Sequence, residues 1–454
     1  MTEQKMRNLT EGSPVKLLIS FTLPLLLGMI FQQFYGMIDN IVVGKFLGVQ
    51  ALAGVGSTSS INFLVLGFCN GICAGFVIPV ALRFGQKDFP ALRRVVGNIL
   101  WLSLFFAVGI TLTVCLLCRR ILVWMHTPAD AFSYAYTYIF IIFLGIPSLI
   151  LYNTLSGIIR SLGNSRVPLY FLIFSSLLNI ALDLLLVIVI PLGVAGAAFA
   201  TLISQVLSGL LCLVYMIKNY PILHLSREDL RLRSAECRQL LTMGLPMGLQ
   251  YTVTAIGCTM IQAAVNNLGS TAMAAVTAAS RVQALLITPC EAIGIAAATY
   301  AGQNVGAGRL DRVRQGTRVS FMIGFLYSAA AFAIVMLWSR ELLCLFLDPA
   351  AVETAQILDY GHRFLLVNAS FYLALLLIYL FRTIIQGMGY SPVAILSGVL
   401  ELAARAVLSL VIVPAFGYTA VCFTNPAAWM MADLFLVPMY FIALHRLSRK
   451  LPNS

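Results

Sequence analysis

The stretch FQQFYGMIDNIVVGKFLGVQALAGV, residues 31–55, places a carboxylate, Asp39, far along an apolar segment that begins near Val15. An ionised carboxylate at the centre of a lipid bilayer costs about 2.5–3.5 kcal/mol on insertion scales. The last nine residues of the stretch, LGVQALAGV, have a counterpart in LGSTAMAAV at residues 268–276. The acid in the apolar segment and the repeated block are the two features from which we infer the fold and the class of function.

The composition is that of a membrane protein. The chain has 454 residues, of which 60% are hydrophobic and 10% are charged, whereas a soluble domain has about 25% charged residues. A mean hydropathy of +0.93 over this length predicts many membrane spans and excludes disordered, collagen-like and small disulfide-rich proteins. The ten cysteines are scattered through apolar runs, and the two close pairs, Cys69–Cys73 and Cys115–Cys118, lack a second pair at metal-binding spacing.

Apolar runs of about 20 residues or more predict twelve transmembrane helices. The predicted spans are 15–43, 51–82, 91–118, 131–160, 167–190, 193–218, 238–264, 271–300, 312–338, 355–386, 392–414 and 417–446. An even number of spans puts both termini on one side, and 22 of the 29 basic residues, Arg382 among them, fall on that side. Five fall in the opposite loops, and Arg281 and Arg405 fall within spans. The positive-inside rule therefore predicts cytoplasmic termini, and it explains the net charge of +12 without a nucleic-acid partner.

The two halves of the chain match at an offset of roughly 222 residues, in five blocks that occur in the same order. Examples are IIRSLGNSRVP (158–168) with IIQGMGYSPVA (384–394), and IVIPLGVAGAA (188–198) with VIVPAFGYTAV (411–421). Six spans per half mean that both halves enter the membrane from the same side, so the repeats are parallel. We predict an N-lobe over 1–218, a solvated cytoplasmic linker over 219–237 and a C-lobe over 238–454. Transporters with parallel repeats bind substrate near the repeat interface and alternate its access to the two sides.

Five acids lie well inside predicted spans, away from their ends: Asp39, Asp183, Glu291, Glu401 and Asp433. Asp39 shares a helix face with Tyr35 and Gln32, because the three are spaced four and three residues apart, and Asp183 shares one with Asn179 for the same reason. Asp39, Asp183 and Thr201 are all expected in the outer half of the membrane, so that their depth permits them to meet. Carboxylate, amide and hydroxyl oxygens suit a hard cation such as Na⁺, while two desolvated acids close together could carry protons instead.

At this point the sequence resembles the MATE (multidrug and toxic compound extrusion) family. The residues that carry the resemblance are TLPLLLGMIFQQFYGMIDNIVVGKFLGVQALAGVG, GNSRVPLY with LNIALDLLLV, PLGVAGAAFATLISQ and YAGQNVGAGRLDR, and it extends from about residue 10 to 446. The resemblance implies a V-shaped pair of six-helix lobes that exports organic, often cationic, compounds against inward flow of Na⁺ or H⁺. It implies a first-lobe cation site, as in the DinF-like branch, formed by Asp39, Asn179, Asp183 and Thr201. It further implies a cavity beside that site lined by Gln32, Tyr35 and Asn153, and a first helix that bends at Pro24.

The second half departs from the first. Where one branch of the family has a glutamate after the seventh-span proline, this chain has Gln250, and the tenth span contains no acid, so a second-lobe Na⁺ site of that kind is not expected. The repeat places Glu401 opposite Asn179 and Arg405 opposite Asp183. The order and spacing of Glu401 and Arg405 favour an internal ion pair, with a polar patch that meets substrate as the alternative. Glu291 is a candidate for substrate contact or for capping a broken helix, and it is too far from Arg281 to form an ion pair with it. Asp433 has no clear partner.

These features favour a cation-coupled exporter of organic compounds in a bacterial plasma membrane. A flippase for a lipid-linked substrate is the alternative, disfavoured because five acids outnumber the two span arginines. An enzyme is not indicated, since the four histidines lie at span ends and in loops. The GQNVGAG loop lacks the Lys-Ser/Thr of a phosphate-binding loop, so no nucleotide or other cofactor is expected beyond the coupling H⁺ or Na⁺. The expected partners are a small-molecule substrate and the lipid bilayer, with no obligatory protein partner.

Overall fold

A computed structural model describes residues 8–346 and 354–450, so that Lys5 and Arg7 of the charge count lie outside the described residues. The regular structure within these ranges is helical, without a strand. The first half contains α1 (Pro14–Leu47), α2 (Val49–Ser57), α3 (Ser59–Phe76), α4 (Ile78–Gly85), α5 (Phe89–Trp124), α6 (Ala129–Leu144), α7 (Ile146–Ser161), α8 (Arg166–Asp183) and α9 (Val194–Asn219). The second half contains α10 (Ser234–Asn266), α11 (Ser270–Gly306), α12 (Leu310–Cys344), α13 (Thr354–Ser370), α14 (Tyr372–Gly387), α15 (Ser391–Val407), α16 (Val413–Phe416) and α17 (Tyr418–Lys450).

Nine helices of the described chain are long and apolar enough to cross a membrane, or up to eleven if each of two bent pairs counts as one span. The bent pairs are α6 with α7, which meet at 43°, and α13 with α14, which meet at 51°. The remaining long helix, α10, is not among the candidate spans, because glutamine and threonine residues interrupt its apolar content. The predicted twelve spans therefore correspond to twelve long helical elements, of which nine to eleven meet a length and composition criterion.

The sequence repeat is also a repeat of backbone conformation. Gly193, before α9, has φ 62° and ψ −142°, and Gly417, before α17, has φ 60° and ψ −141°. This region of backbone space is open essentially to glycine alone, so the same residue is required at both places. A π-helical segment stands shortly before each glycine, Leu184–Val189 in the first half and Leu408–Ile412 in the second. The two halves thus share an unusual helix end, and this supports their origin as a repeat.

The described chain divides into two compact units. The first includes Leu23–Gly248, and the second includes Thr10–Thr22 and the chain from Leu249 onward. The boundaries fall inside α1 and α10, each within two residues of a proline, Pro24 or Pro246. Each of these two helices therefore contributes one part to each unit.

In the first unit α3 packs against the start of α10 through glycines four residues apart. A Cβ added to Gly75 would lie 2.5 Å from the Cα of Gly244, and one added to Gly71 would lie 2.5 Å from the carbonyl oxygen of Met247. Small residues at this spacing let helix backbones approach closely, a common device in membrane proteins. Large buried side chains such as Phe76, Leu92 and Ile99 fill the same core.

The segment between the repeats, residues 219–237, packs on α5 within the first unit. Trp101 Nε1 donates to the Leu230 carbonyl at 2.8 Å, and Asn98 Oδ1 accepts from the Arg233 N–H at 3.0 Å. Gly97 allows this contact, since an added Cβ would lie only 2.1 Å from the Asp229 carbonyl oxygen. The segment exposes several charged side chains, as expected of a solvated linker, but it is also docked on a helix.

The second unit anchors the chain that precedes α1. Arg309 Nη1 donates to the Thr10 carbonyl at 2.7 Å, and Arg312 Nη2 donates to the Gly12 carbonyl at 2.9 Å. The core of this unit is apolar, and it includes the fully buried Leu376 and Val421. Basic residues near the start of α12 therefore hold neighbouring backbone as well as contributing to the charge asymmetry of the loops.

Candidate functional site

Two helices of the first unit carry the buried carboxylates. Asp39 lies in the second half of α1 and is 9% exposed, and Asp183 is the last residue of α8 and is fully buried. The two carboxylates lie close enough for their charges to interact. The structure therefore brings together the acid pair that the sequence placed at similar depth.

Neutral polar groups surround the pair. The Tyr138 hydroxyl of α6 hydrogen-bonds the Asp39 carboxylate. Asn179, one turn before Asp183, is 2% exposed and donates from Nδ2 to Thr201 Oγ1 of α9 at 3.4 Å. The four predicted cation-site residues thus come from α1, α8 and α9, and Tyr138 adds a fourth helix.

Several oxygens of this group lack a hydrogen-bond partner within residues 8–346 and 354–450. They are Asp39 Oδ1, Asn179 Oδ1 and both carboxylate oxygens of Asp183. None of the five ion pairs of the described chain includes Asp39 or Asp183. Buried acceptors without donors are costly, and a bound cation or a proton would satisfy them.

The donor set fits a hard monovalent cation. It offers carboxylate, amide and hydroxyl oxygens, the ligands that Na⁺ prefers, and no thiolate or imidazole. The described residues contain no group of three or more His, Cys, Asp or Glu side chains that could hold a metal ion, so a transition-metal centre has no support there. The same two acids could hold a proton, and the geometry is compatible with either cation.

Of the predicted cavity residues of the first unit, Tyr35 lies near the carboxylates, whereas Asn153 contacts another helix. Gln32 is exposed and hydrogen-bonds Tyr35, whose ring is close to both Asp39 and Asp183. Asn153 of α7 donates to Asn70 Oδ1 of α3 at 3.0 Å. The sequence analysis did not list Asn70 as a site residue, although an asparagine inside an apolar run indicates a functional position. It also did not list Tyr138, and no feature of the sequence distinguishes this tyrosine from the other aromatic residues of the spans.

The second unit contains a buried cluster of charges that the sequence analysis described only in part. Glu401 bonds Arg405 through Oε2, with Arg405 Nη2 at 3.4 Å, so the predicted internal ion pair is present. Its other oxygen, Oε1, bonds Arg382 Nη2. Arg382 also donates from Nε to Ser397 Oγ at 3.1 Å.

Arg382 was counted with the cytoplasmic basic residues, and its contact with Glu401 was not predicted. It lies inside α14 and is 8% exposed, so a buried arginine contacts Glu401 in addition to Arg405. The loop count missed it because the arginine follows an apolar run close to its end, and sequence spacing does not show a partner on another helix. The comparison of five acids with two span arginines left this arginine out.

The other candidates in this unit differ in their surroundings. Asp433 of α17 is 9% exposed and lies near Arg382 and Glu401, but it is in none of the described ion pairs and its Oδ1 has no hydrogen-bond partner among the described residues. Gln250 accepts a hydrogen bond from Gln386 at 2.7 Å, so it is engaged within the protein. Glu291 is half-buried near Tyr251 and Tyr379, and Arg281 is exposed and in none of the described ion pairs.

Pro24 lies inside α1, which continues as a helix from Pro14 to Leu47. Proline removes one backbone hydrogen bond from the helix interior and so weakens it locally. The proline is fifteen residues before Asp39 on the same helix and two residues after the point where α1 passes from the second unit to the first. A bend at this place is compatible with the structure and stays a prediction.

Taken together, these observations define a multi-pass helical membrane protein built from two repeats, one of which buries an unpaired acid pair. The MatE family model matches residues 24–185 and again residues 246–411, once in each half. The chain belongs to the MatE family, which confirms the resemblance to MATE transporters, whereas the DinF-like branch stays a prediction.

Similar proteins extend over most of the chain. The probable multidrug resistance protein YoeA of Bacillus subtilis (strain 168) is 30% identical over 360 residues, which are 78% of this chain and 77% of YoeA. YpnP of the same organism, also a probable multidrug resistance protein, is 29% identical over 81% of both chains. A solved outward-facing multidrug resistance MATE family transporter of the MOP superfamily has a TM-score of 0.88 at 22% identity and covers 97% of this chain and 98% of its own. The last comparison shows the two-lobed fold.

Proposed function

We propose that this protein is a cation-coupled antiporter that exports organic, mainly cationic or amphiphilic, compounds by alternating access. The observation that carries the proposal is the acid pair of the first unit, Asp39 and Asp183, buried without a basic partner among the described residues. Two buried negative charges cannot persist unpaired, because removing a carboxylate from water costs several kcal/mol. The pair is stable when it holds a cation, which is the requirement for an ion-coupling site.

The coupling cation is H⁺ or Na⁺, and its ligands are Asp39, Asn179, Asp183 and Thr201. The names of the relatives YoeA and YpnP support organic, drug-like compounds as substrates. We place the protein in the bacterial plasma membrane with both termini cytoplasmic, since basic residues are concentrated in the loops of that side. Substrate and lipid are its partners, and no obligatory protein partner is required.

Uptake of ethidium into inside-out vesicles tests the proposal. The vesicle lumen corresponds to the cell exterior, so Na⁺ or H⁺ is made more concentrated in the lumen, each in a separate experiment. Wild type is expected to accumulate ethidium under one of the two gradients, and Asp39→Asn is expected to lose that accumulation. Asp130→Asn, which makes the same chemical change at an exposed residue in the first turn of α6, is the matched control and is expected to behave as wild type.

The lipid-linked flippase is the competing function, and the contacts of the buried arginines bear on it. Arg382 and Arg405 are both in spans, but both bond Glu401, so they do not form a free basic surface for a pyrophosphate group. Folded wild-type protein that accumulates no ethidium under either gradient would contradict the exporter and favour the flippase.

A further inference from the structure

Asp183 and Arg405 occupy corresponding places in the two repeats. Each is followed by a π-helical segment, Leu184–Val189 or Leu408–Ile412. Each also belongs to a row of buried residues with the same spacing. The rows are Ser176, Asn179, Asp183 and Val187 in the first unit, and Gly398, Glu401, Arg405 and Ser409 in the second, 222 residues later in each case.

The two rows differ in charge. Asp39 and Asp183 together carry two negative charges when ionised, and the described ion pairs give them no basic partner. In the second unit Glu401 binds two guanidinium groups, those of Arg382 and Arg405.

Asp433 lies near Arg382 and Glu401 and is nine-tenths buried, but it is in none of the described ion pairs and its Oδ1 has no hydrogen-bond partner among the described residues. A buried carboxyl group without a partner is stable in its neutral form, so we count Asp433 as uncharged. Glu401 has two basic partners, so the ion-paired groups need no cation from solution. Ser397 accepts a hydrogen bond from Arg382, and Tyr251 and Tyr379 are also near that guanidinium group.

The surroundings of Arg405 are built to hold its side chain. A Cβ added to Gly257 of α10 would lie 2.9 Å from Arg405 Cδ and 3.1 Å from Nη1, so the glycine leaves the space that the guanidinium fills. Arg405 itself is 5% exposed. An arginine stays charged at any physiological pH, so the positive charge at this place is permanent.

We propose that Arg405 is a tethered cation, which permanently holds in the second unit the place that a mobile H⁺ or Na⁺ takes beside Asp183 in the first. The inference rests on the proposed function and extends it, because it confines cation coupling to one of the two repeats. It assigns Arg405 and Arg382 a positioning role, and it removes Glu401 from the residues that bind substrate. The coupling cation then binds the first unit alone.

The charges give a sharp expectation for variants. Arg382→Met/Arg405→Met leaves Glu401 without a basic partner, so the cluster must take up one cation from solution. Arg405→Lys keeps the tethered charge and leaves the sum unchanged. The triple variant Glu401→Gln/Arg382→Met/Arg405→Met removes the acid together with both arginines, so it needs no cation.

The experiment counts cations bound per chain on the full-length protein in lipid nanodiscs. Radioactive Na⁺ is measured at equilibrium, and bound protons are measured by acid–base difference titration in Na⁺-free solution. We expect Arg382→Met/Arg405→Met to bind one more cation per chain than wild type, and Arg405→Lys and the triple variant to keep the wild-type count. Asp183→Asn is expected to lower the wild-type count.

Each failure has a distinct meaning. A wild-type protein that binds no cation dependent on Asp39 and Asp183 contradicts the proposed function. Normal wild-type binding with an unchanged count in Arg382→Met/Arg405→Met overturns the tethered cation alone. If that variant does not fold, the triple variant decides the question, since a count below wild type would show that the second cluster itself binds a mobile cation.

Discussion

Tyr138 hydrogen-bonds the carboxylate of Asp39, and changing this one residue tests the contact. A hydrogen bond to a charged group contributes about 1.5–3 kcal/mol. Tyr138→Phe keeps the ring and removes the donor, which stabilises the cation-free carboxylate, so we expect the apparent affinity of the site for the coupling cation to rise by about tenfold or more. The measurement is the cation concentration that gives half-maximal ethidium transport. Tyr134→Phe, one turn earlier on α6, is the control, and equal effects of the two variants would contradict a specific role for Tyr138.

The residue scale also shows where reading the sequence succeeds and where it stops. Asp39, Asp183 and Asn179 were predictable because a polar residue in an apolar run is expensive and its helical spacing gives its face. Arg382 was not, because its partner Glu401 lies on the next helix, and a contact between helices leaves no spacing in the sequence. Tyr138 was not predictable for the same reason, and because aromatic residues are common in apolar spans.

At the scale of elements, the fit of the inter-repeat segment on α5 depends on Gly97. Gly97→Ala would place a Cβ 2.1 Å from the Asp229 carbonyl oxygen, so backbone must shift. Overpacking of this kind costs about 1–3 kcal/mol, and we expect a lower unfolding temperature in a thermal scan of the detergent-solubilised protein. Gly109→Ala on the same helix meets nothing within 4 Å and is the matched control. It should be neutral or stabilising by about 0.5–1 kcal/mol, and equal losses in both variants would show that the segment is not held as described.

The same segment has a pH dependence of its own. Burial acts to raise the pKa of Asp229, but hydrogen bonds from the Ser226 N–H and hydroxyl, with the charges of Arg93 and Arg94, outweigh it and hold that pKa below its usual range. A depressed pKa in the folded state gives stability that is present above the unfolded value, about 3.9, and is lost as the pH falls through the folded value. Asp229→Asn should therefore lower the unfolding temperature near neutral pH, and its difference from wild type should shrink in acid. A difference that is constant with pH would contradict this role of the carboxylate.

The elements themselves were largely predictable. Apolar runs located the long helices, and the repeated blocks located the paired Gly193 and Gly417, because both are local properties of the chain. The docked state of residues 219–237 was not predictable, since it depends on the absence of a side chain at Gly97 and on backbone carbonyls that no sequence motif marks.

At the scale of the whole molecule, α1 and α10 are the helices that contribute to both units, and each changes unit within two residues of a proline. A helix weakened at that point can bend there while the residues on either side keep their own packing. The sequence analysis singled out Pro24, but the unit boundary gives Pro24 and Pro246 the same expectation. Pro24→Ala and Pro246→Ala should each lower the rate of ethidium export by about tenfold, the effect of ~1.4 kcal/mol on a barrier, while equilibrium cation binding stays at the wild-type level.

Pro289 supplies the control for this prediction, because it lies inside α11, which belongs entirely to the second unit. Pro289→Ala should export at the wild-type rate. If all three variants export equally fast, helix bending at the unit boundary does not limit transport, and the cation at Asp39 must act on the cavity by another route. If Pro24→Ala alone is slow, α1 and α10 are not equivalent. The difference between the two helices then agrees with the difference in charge between the repeats, because the mobile cation and the bending helix both belong to the first repeat.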